Sequence, residues 1–299
     1  MSDYILQTQN ISKSFGQKWA LQDFSMAIPA GGVHAVVGRN GAGKTTLFKL
    51  LLGFYEPDYG VAEVLGVNSQ YLQPQHRARI AFVNDEHSLP DWLTVDQVAE
   101  QQRCLYSDWS DEIYQEVLSN FSVSTKQKVN QLSRGERAGL NLALSFAQQP
   151  ELLVLDEPTL GLDPVAKQEI LECLLFTEAK NNSTIIYCSH QLEEVERVAD
   201  NIIFIDEGCF DMMTTPDQFM ERFSHWVVET QSTAPQATDV PGLLRVRKIE
   251  DAYHYVILDA ANSFESFINS TNPVSVKQIP IGLRKAVIEY LSRTNRIAS

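Results

Sequence analysis

No run of about 18 consecutive apolar residues occurs in this chain, so none of it is expected to cross a membrane as a helix. The opening stretch, MSDYILQTQNISKSF, is polar and lacks the apolar segment of a secretory signal. Cysteine is scarce and scattered, at Cys104, Cys173, Cys188 and Cys209. With no C-x-x-C pair, neither a zinc site nor a disulfide framework is indicated, and a reducing cytosol is the expected compartment. Positive charge is in deficit: a net charge of −14 argues against a protein that grips a nucleic-acid backbone, so no nucleic-acid partner is expected. Internal repeats, low-complexity tracts, heptad runs and basic tracts are also missing.

What is present starts with a length of 299 residues, enough for one large or two smaller domains, and a 44% hydrophobic share that can build a sizeable core. GRNGAGKTT, residues 38–46, fits G-x-x-x-x-G-K-[ST] with Gly38, Gly43, Lys44 and Thr45 in the required places. VHAVVG before it reads as a buried strand. TTLFKLLLG after it, apolar at Leu47, Leu50 and Leu51, reads as a helix closed by Gly53. In that context glycines let the backbone close around a bulky anion, and N–H groups at the helix N-terminus point at it. Lys44 adds a mobile charge that reaches β- and γ-phosphates, Thr45 offers a hydroxyl to magnesium, and Thr46 extends the donor set. A phosphate loop alone does not name a function.

The rest of the chain alternates. YILQTQNI and FSMAIP within residues 3–30, VAEVLGV at 61–67 and RIAFVN at 79–84 read as strands. From 94 to about 121 the pattern is helical. Val95, Val98, Ala99, Gln102, Leu105 and Tyr106 share one face, and Ile113, Val117, Leu118 and Phe121 share another. ELLVLDE is a short apolar strand ending in two acids, a helix follows at 164–180, and STIIYCSH is a second buried strand ending in histidine. The helix QLEEVERVA and the strand NIIFIDEG complete the alternation. This predicts an α/β fold, a mostly parallel sheet with helices on its faces and sites at the carboxyl ends of its strands. Gly38, Asp156, Glu157 and His190 all fall at such ends. After about residue 224 comes the polar stretch TQSTAPQATDVPG. Then LLRVRKI and YHYVILD alternate like a hairpin, while SFESFINS and IGLRKAVIEYLS read as helices. We therefore expect one domain over 1–224, with a helical subdomain over about 92–145, and a small α+β accessory domain over 225–299 without a catalytic constellation.

Two further stretches decide the class. Asp156 ends the strand LLVL, and beside a phosphate loop an acid there holds magnesium, often through water. The adjoining Glu157 can orient and polarise an attacking water. LSRGE at 132–136 precedes a helix that is apolar nearly all round. Ser133 and the N–H groups near Gly135 can make a second anion-binding helix N-terminus, although alone the stretch reads as a plain N-cap.

In this order the motifs resemble those of the ATP-binding cassette (ABC) ATPases, the nucleotide-binding subunits of ABC transporters, over residues 3 to about 222. GRNGAGKTT resembles the Walker A loop, LSRGE the signature LSGGQ, and LLVLDE the Walker B strand with its catalytic glutamate. LGLD resembles the D-loop and CSH the switch histidine, while Phe15 in KSFG falls where the family places an aromatic that stacks on adenine. The resemblance implies a P-loop NTPase cassette: a parallel-sheet core, an antiparallel β subdomain and a helical subdomain. It implies ATP and Mg2+, with Phe15, Gly38, Asn40, Gly41, Gly43, Lys44, Thr45 and Thr46 on the nucleotide. Thr45, Asp156 and Asp85 would attend the metal, and Glu157, His190 and Lys44 would be the catalytic groups. Two cassettes, expected to be identical chains, would pair head to tail. Ser133 and Gly135 of one would then meet the γ-phosphate bound at Lys44 of the other, with Asp163 acting across the pair. Closure on ATP and opening after hydrolysis would drive permease chains, which would hold the protein at the cytoplasmic face of the cell membrane. A cassette followed directly by a small C-terminal domain resembles the ATPases of ABC-2-type exporters.

The chain departs from the pattern in three places. Arg134 stands at the first signature glycine, Glu136 at the signature glutamine, and Asp85 where the family has the glutamine of its glutamine loop. An acid at 85 still ligates magnesium but lacks an amide donor, so metal dependence or coupling is expected to change. Other functions fit a cassette less well. A DNA-repair or ribosome-acting ATPase needs coiled coils, or a second cassette and a basic linker. A regulatory cassette that only senses ATP needs neither Glu157 nor His190. Trp92, Trp109 and Trp226 read as core or interface packing, His34, His76 and His87 as structural or solvated, and Cys188 as a small buried apolar residue.

Overall fold

The computed structural model describes residues 4–181, 183–230 and 239–293. It divides into two compact units, Met1–Met213 and Thr214–Ser299.

In the first unit, β1 (Tyr4–Phe15) and β2 (Lys18–Pro29) form a long antiparallel hairpin. With β4 (Tyr59–Val64) and β5 (Val67–Asn68) they make a four-stranded sheet of order β2-β1-β4-β5. The sequence shows only the outer parts of this hairpin as strands. Register shifts between Thr8 and Ser14, with Asn10 and Asp23 at positive φ, break the period-two alternation in its middle.

The second sheet has six strands: β3 (Val33–Gly38), β6 (Ile80–Asn84), β7 (Leu152–Asp156), β8 (Thr184–Cys188), β9 (Asn201–Asp206) and β10 (Cys209–Thr214). Their order is β10-β9-β3-β8-β7-β6, and β9, β3, β8, β7 and β6 run parallel. These strands are continuously apolar because both faces are covered. Leu153, Leu155, Ile185 and Tyr187 point into one core, and Val36, Leu152, Val154, Ile186 and Cys188 into the other.

The second of those cores also holds Leu47, Phe48, Leu50 and Leu51 of α1 (Lys44–Leu51) and the inner face of the antiparallel sheet. The short α2 (Pro74–Arg77) precedes β6. The first core takes in α3 (Val95–Leu105), α4 (Asp111–Asn120) and α5 (Arg134–Ala147), which make up the expected helical region. It also takes in α6 (Pro164–Asn181) and Val198 at the end of α7 (Leu192–Val198). Only Val95, Val98 and Ala99 of the predicted α3 face are buried; Leu105, the last residue of the helix, is 71% exposed because α3 outruns its packing partners. Trp92 is also exposed, whereas Trp109 packs on Tyr114.

The second unit contains α8 (Pro216–Glu221), β11 (Phe223–Glu229), β12 (Leu243–Ile249), β13 (Ala252–Leu258), α9 (Ala261–Ser270), β14 (Ser275–Ile279) and α10 (Leu283–Leu291). Its strands form an antiparallel sheet of order β12-β13-β11-β14, and Trp226, Tyr255, Phe264 and Ile268 anchor its core. The β12–β13 hairpin and both helices match the α+β expectation. The unit begins earlier than the expected 224/225 boundary, because Phe219 and Phe223 meet Tyr290 edge to face and β11 pairs with β13 and β14. Most of the polar stretch taken as punctuation, residues 231–238, lies outside the described residues.

Candidate functional site

The site begins where β3 ends. A Cβ at Gly38 would lie 2.4 Å from the Ile205 carbonyl oxygen, so the loop leaves the strand in contact with β9. Gly43 has φ +100°, and a Cβ there would sit 2.4 Å from the Ala20 carbonyl oxygen. Only glycine combines that conformation with that approach. The next residue, Lys44, opens α1 and folds back over the loop, its Nζ donating to Gly38 O at 2.8 Å and Arg39 O at 3.1 Å.

A cavity of about 470 Å³ lies over this loop. It is lined by Asn40, Gly41, Gly43, Lys44, Thr45 and Thr46, by Asp156 and Glu157 at the end of β7, and by Phe15 at the end of β1. Phe15 is half exposed and meets Tyr55 edge to face at 5.6 Å. Lys18 and Ala20 also line the cavity, and no motif announces them. The available signal was the turn at Gly16 and Gln17: once KSFGQKW is read as a hairpin, Lys18 pairs across from Phe15.

Asp156 is buried, and burial pushes its carboxyl pKa up; a hydrogen bond from Thr45 pulls the other way, while Glu157 and Asp85 add to the rise. Glu157 stands at φ +54°, a strained conformation for a residue other than glycine, and its N–H donates to Cys188 O at 3.0 Å. One strand over, β8 delivers His190. Its Nδ1 lies 2.6 Å from Glu157 Oε2, and its backbone N–H donates to the same oxygen at 3.2 Å. A carboxylate oxygen accepts in such a contact, so Nδ1 is the donor there. Cys188 is fully buried and its thiol is pushed far up by burial, which matches a packing role.

A second group forms away from the cavity. Ser133 caps α5: its Oγ accepts from Glu136 N at 3.2 Å, and Glu136 Oε2 accepts from Ser133 N at 2.7 Å. Glutamate closes this capping box as glutamine would. Asp163 Oδ1 accepts from Val165 N and Ala166 N at the start of α6. A Cβ at Gly135 would lie 3.1 Å from Ala166 Cβ and 3.7 Å from Asp163 Oδ2, so the two helix N-termini adjoin. Ser133, Gly135 and Asp163 therefore gather together, but none of them lines the cavity.

Asp85 does not line the cavity either, although its charge is felt by Asp156. The substituted positions meet: Arg134 covers Gly161 and donates from Nη2 to Asp85 O at 3.4 Å. His87 is buried, with Nε2 3.0 Å from the Pro158 carbonyl oxygen, and burial lowers its pKa. Thr45 and Asp156 bring a hydroxyl and a carboxylate to the same cavity, and no group of three or more His, Cys, Asp and Glu side chains that could hold a metal occurs among the described residues.

A glycine loop at the centre of a parallel sheet, an acid pair two strands away and a histidine on the strand between define a P-loop nucleoside triphosphatase. A family model described as ABC transporter matches residues 21–160. The ABC transporter ATP-binding protein YtrB of Bacillus subtilis is 26% identical over 290 residues, 95% of this chain and 97% of its own. The Nod factor export ATP-binding protein I of Burkholderia lata is 33% identical over 205 residues, 67% of each chain. A solved ATP binding subunit of an ABC transporter superposes with a TM-score of 0.65 at 25% identity, over 73% of this chain and 92% of that one. The chain belongs to the ABC transporter family and is one of its ATP-binding, ATP-hydrolysing subunits. No helix among the described residues is long and apolar enough to cross a membrane.

Proposed function

We propose that this chain powers an ABC-2-type exporter whose membrane-spanning permease is a separate protein. The observation that carries the chemistry is the Glu157–His190 contact of 2.6 Å beside a cavity that also holds Lys44, Thr45 and Asp156. The N–H groups of the loop and the Lys44 ammonium cradle the β- and γ-phosphates, and Phe15 stacks on the base. Glu157, its carboxylate fixed by His190, polarises the attacking water. Thr45 and Asp156, which line the same cavity, suit Mg2+: a hydroxyl and one carboxylate would hold the ion, and waters and phosphate oxygens would complete its shell. Bound there, the ion supplies charge neutralisation for the phosphates. Asp85 adds a second acid beside this set and shifts metal dependence. An Asp85→Gln chain with unchanged turnover and magnesium dependence, alone and with its partner, removes that part of the reading.

Ser133, Gly135 and Asp163 form the complementary half of a partner's site. They adjoin one another yet stand apart from their own Lys44. Two copies then enclose two ATP molecules, and the pair sits on the cytoplasmic face of the membrane through the permease. Export is supported by the small C-terminal unit after the cassette and by the likeness to a Nod factor export subunit. Affinity capture from detergent-solubilised native membranes, read by mass spectrometry, tests the reading. Co-purifying multi-span proteins are expected; capture of soluble proteins, ribosomes or repair factors alone overturns the transporter assignment and leaves the nucleotide chemistry standing.

A further inference from the structure

Behind the site lies a side chain that no motif contains. Glu194, on α7, is only 6% exposed. Its Oε2 accepts three hydroxyl hydrogen bonds: from Thr159 Oγ1 at 2.8 Å, Ser189 Oγ at 2.7 Å and Tyr187 OH at 2.5 Å. Its Oε1 is buried with no protein partner among the described residues.

The three donors come from different places. Thr159, fully buried, follows Glu157 by two residues in the loop leaving β7. Ser189 immediately precedes His190, and Tyr187 lies on β8. One carboxylate oxygen thus ties the loop after Glu157 to the segment that presents His190. A carboxylate taken out of water is tolerated only under dense hydrogen bonding, and three donors on one oxygen fix one another's positions. Glu157 needs such support, because its left-handed backbone persists only where its surroundings hold it.

We propose that Glu194 is a positioning residue for ATP hydrolysis, clamping Thr159 and Ser189 so that His190 and Glu157 keep their contact. This rests on reading Glu157 and His190 as the hydrolytic pair. Glu194→Gln keeps size and one acceptor oxygen but removes the charge, and Thr159→Val cuts one arm alone.

The test uses the full-length chain with three readouts: steady-state ATP hydrolysis, affinity for a non-hydrolysable ATP analogue, and the His190 imidazole resonances after ¹⁵N-histidine labelling. In Glu194→Gln, kcat is expected to fall roughly 10–100-fold with KM and analogue affinity unchanged, as when a supporting hydrogen bond behind a reactive group is lost. The downfield Nδ1–H signal of His190 should move or broaden with it. Thr159→Val should give the same pattern more weakly, and it serves as the test if Glu194→Gln does not fold. A kcat equal to wild type, or a lowered kcat with an unmoved His190 signal, overturns the proposal. Unchanged hydrolysis in Glu157→Gln removes the hydrolytic pair itself; a lowered kcat there together with an unmoved His190 signal in Glu194→Gln removes only the role of Glu194.

Discussion

The two compact units are built on opposite plans. The first buries a parallel sheet on both faces and brings its reactive groups to the carboxyl ends of three neighbouring strands. The second is an antiparallel sheet whose apolar face takes Phe264 and Ile268 of α9, while His225, Arg247 and His254 share the other. Charge divides the same way: after Met213 acids and bases balance at nine each, so the net −14 belongs to the first unit. Strain is shared except at one place. In both units non-glycine residues at positive φ sit where strands or helices turn, Leu65, Ser122, Gln149 and Glu207 in the first and Glu250, Asp259 and Asn272 in the second, and the first adds Glu157 in the site itself. Backbone strain at a reactive group and strain at a turn look alike as angles; what surrounds them tells them apart.

The sharpest test of this contrast is Glu157→Gln. ATP hydrolysis is expected to fall about 10²–10⁴-fold, the usual worth of a general base, with the melting of the second unit unmoved. Phe264→Ala should do the reverse. Removing a fully buried ring costs about 3–5 kcal/mol, so the second unit should melt early in calorimetry while ATP binding survives; lost ATP binding breaks the comparison. Gly43→Ala should cost about 1–3 kcal/mol in the first unit and abolish nucleotide binding by equilibrium titration, because its Cβ meets the Ala20 carbonyl. A smaller effect comes with acid. Burial, then Lys285 and His254, push the His225 pKa down to about 4. The neutral ring therefore stabilises the second unit fully above the unfolded value of about 6.5, and that contribution disappears as pH falls through about 4. Thermal melts of His225→Gln across this window should show a flatter acid slope than wild type. Least of all, Leu105→Ser should change stability by no more than about 0.5 kcal/mol, since Leu105 is mostly in water already.

Much of the first unit was legible because phosphate chemistry restricts residue types. Glycines at 38 and 43, the lysine between loop and helix, and the acid pair after an apolar strand have few substitutes, and all of these except Gly38 line the cavity. What escaped was set by tertiary contact. Lys18 and Ala20 enter the cavity only because the β1–β2 hairpin folds over it. Glu194 is one of several acids in QLEEVERVA, and only the fold buries it among hydroxyls. In the second unit β14, half exposed and edging the sheet, carries too little alternation to announce itself, and β11 was missed beside the polar stretch that followed it. Packing of Phe219 and Phe223, invisible in composition, moved the boundary forward.

The central place of β3 has a consequence for the chain as it is made. Its partners in the sheet are β8 and β9, residues 184–206, although β3 itself is complete by residue 38. A nascent chain therefore carries Val33–Val37, apolar except for His34 and with both edges open, for roughly 10–30 s of synthesis at ordinary translation rates. The phosphate loop thus leaves the ribosome well before the strands that fix its position, and until they arrive β3 offers open edges that copies on neighbouring ribosomes could pair with.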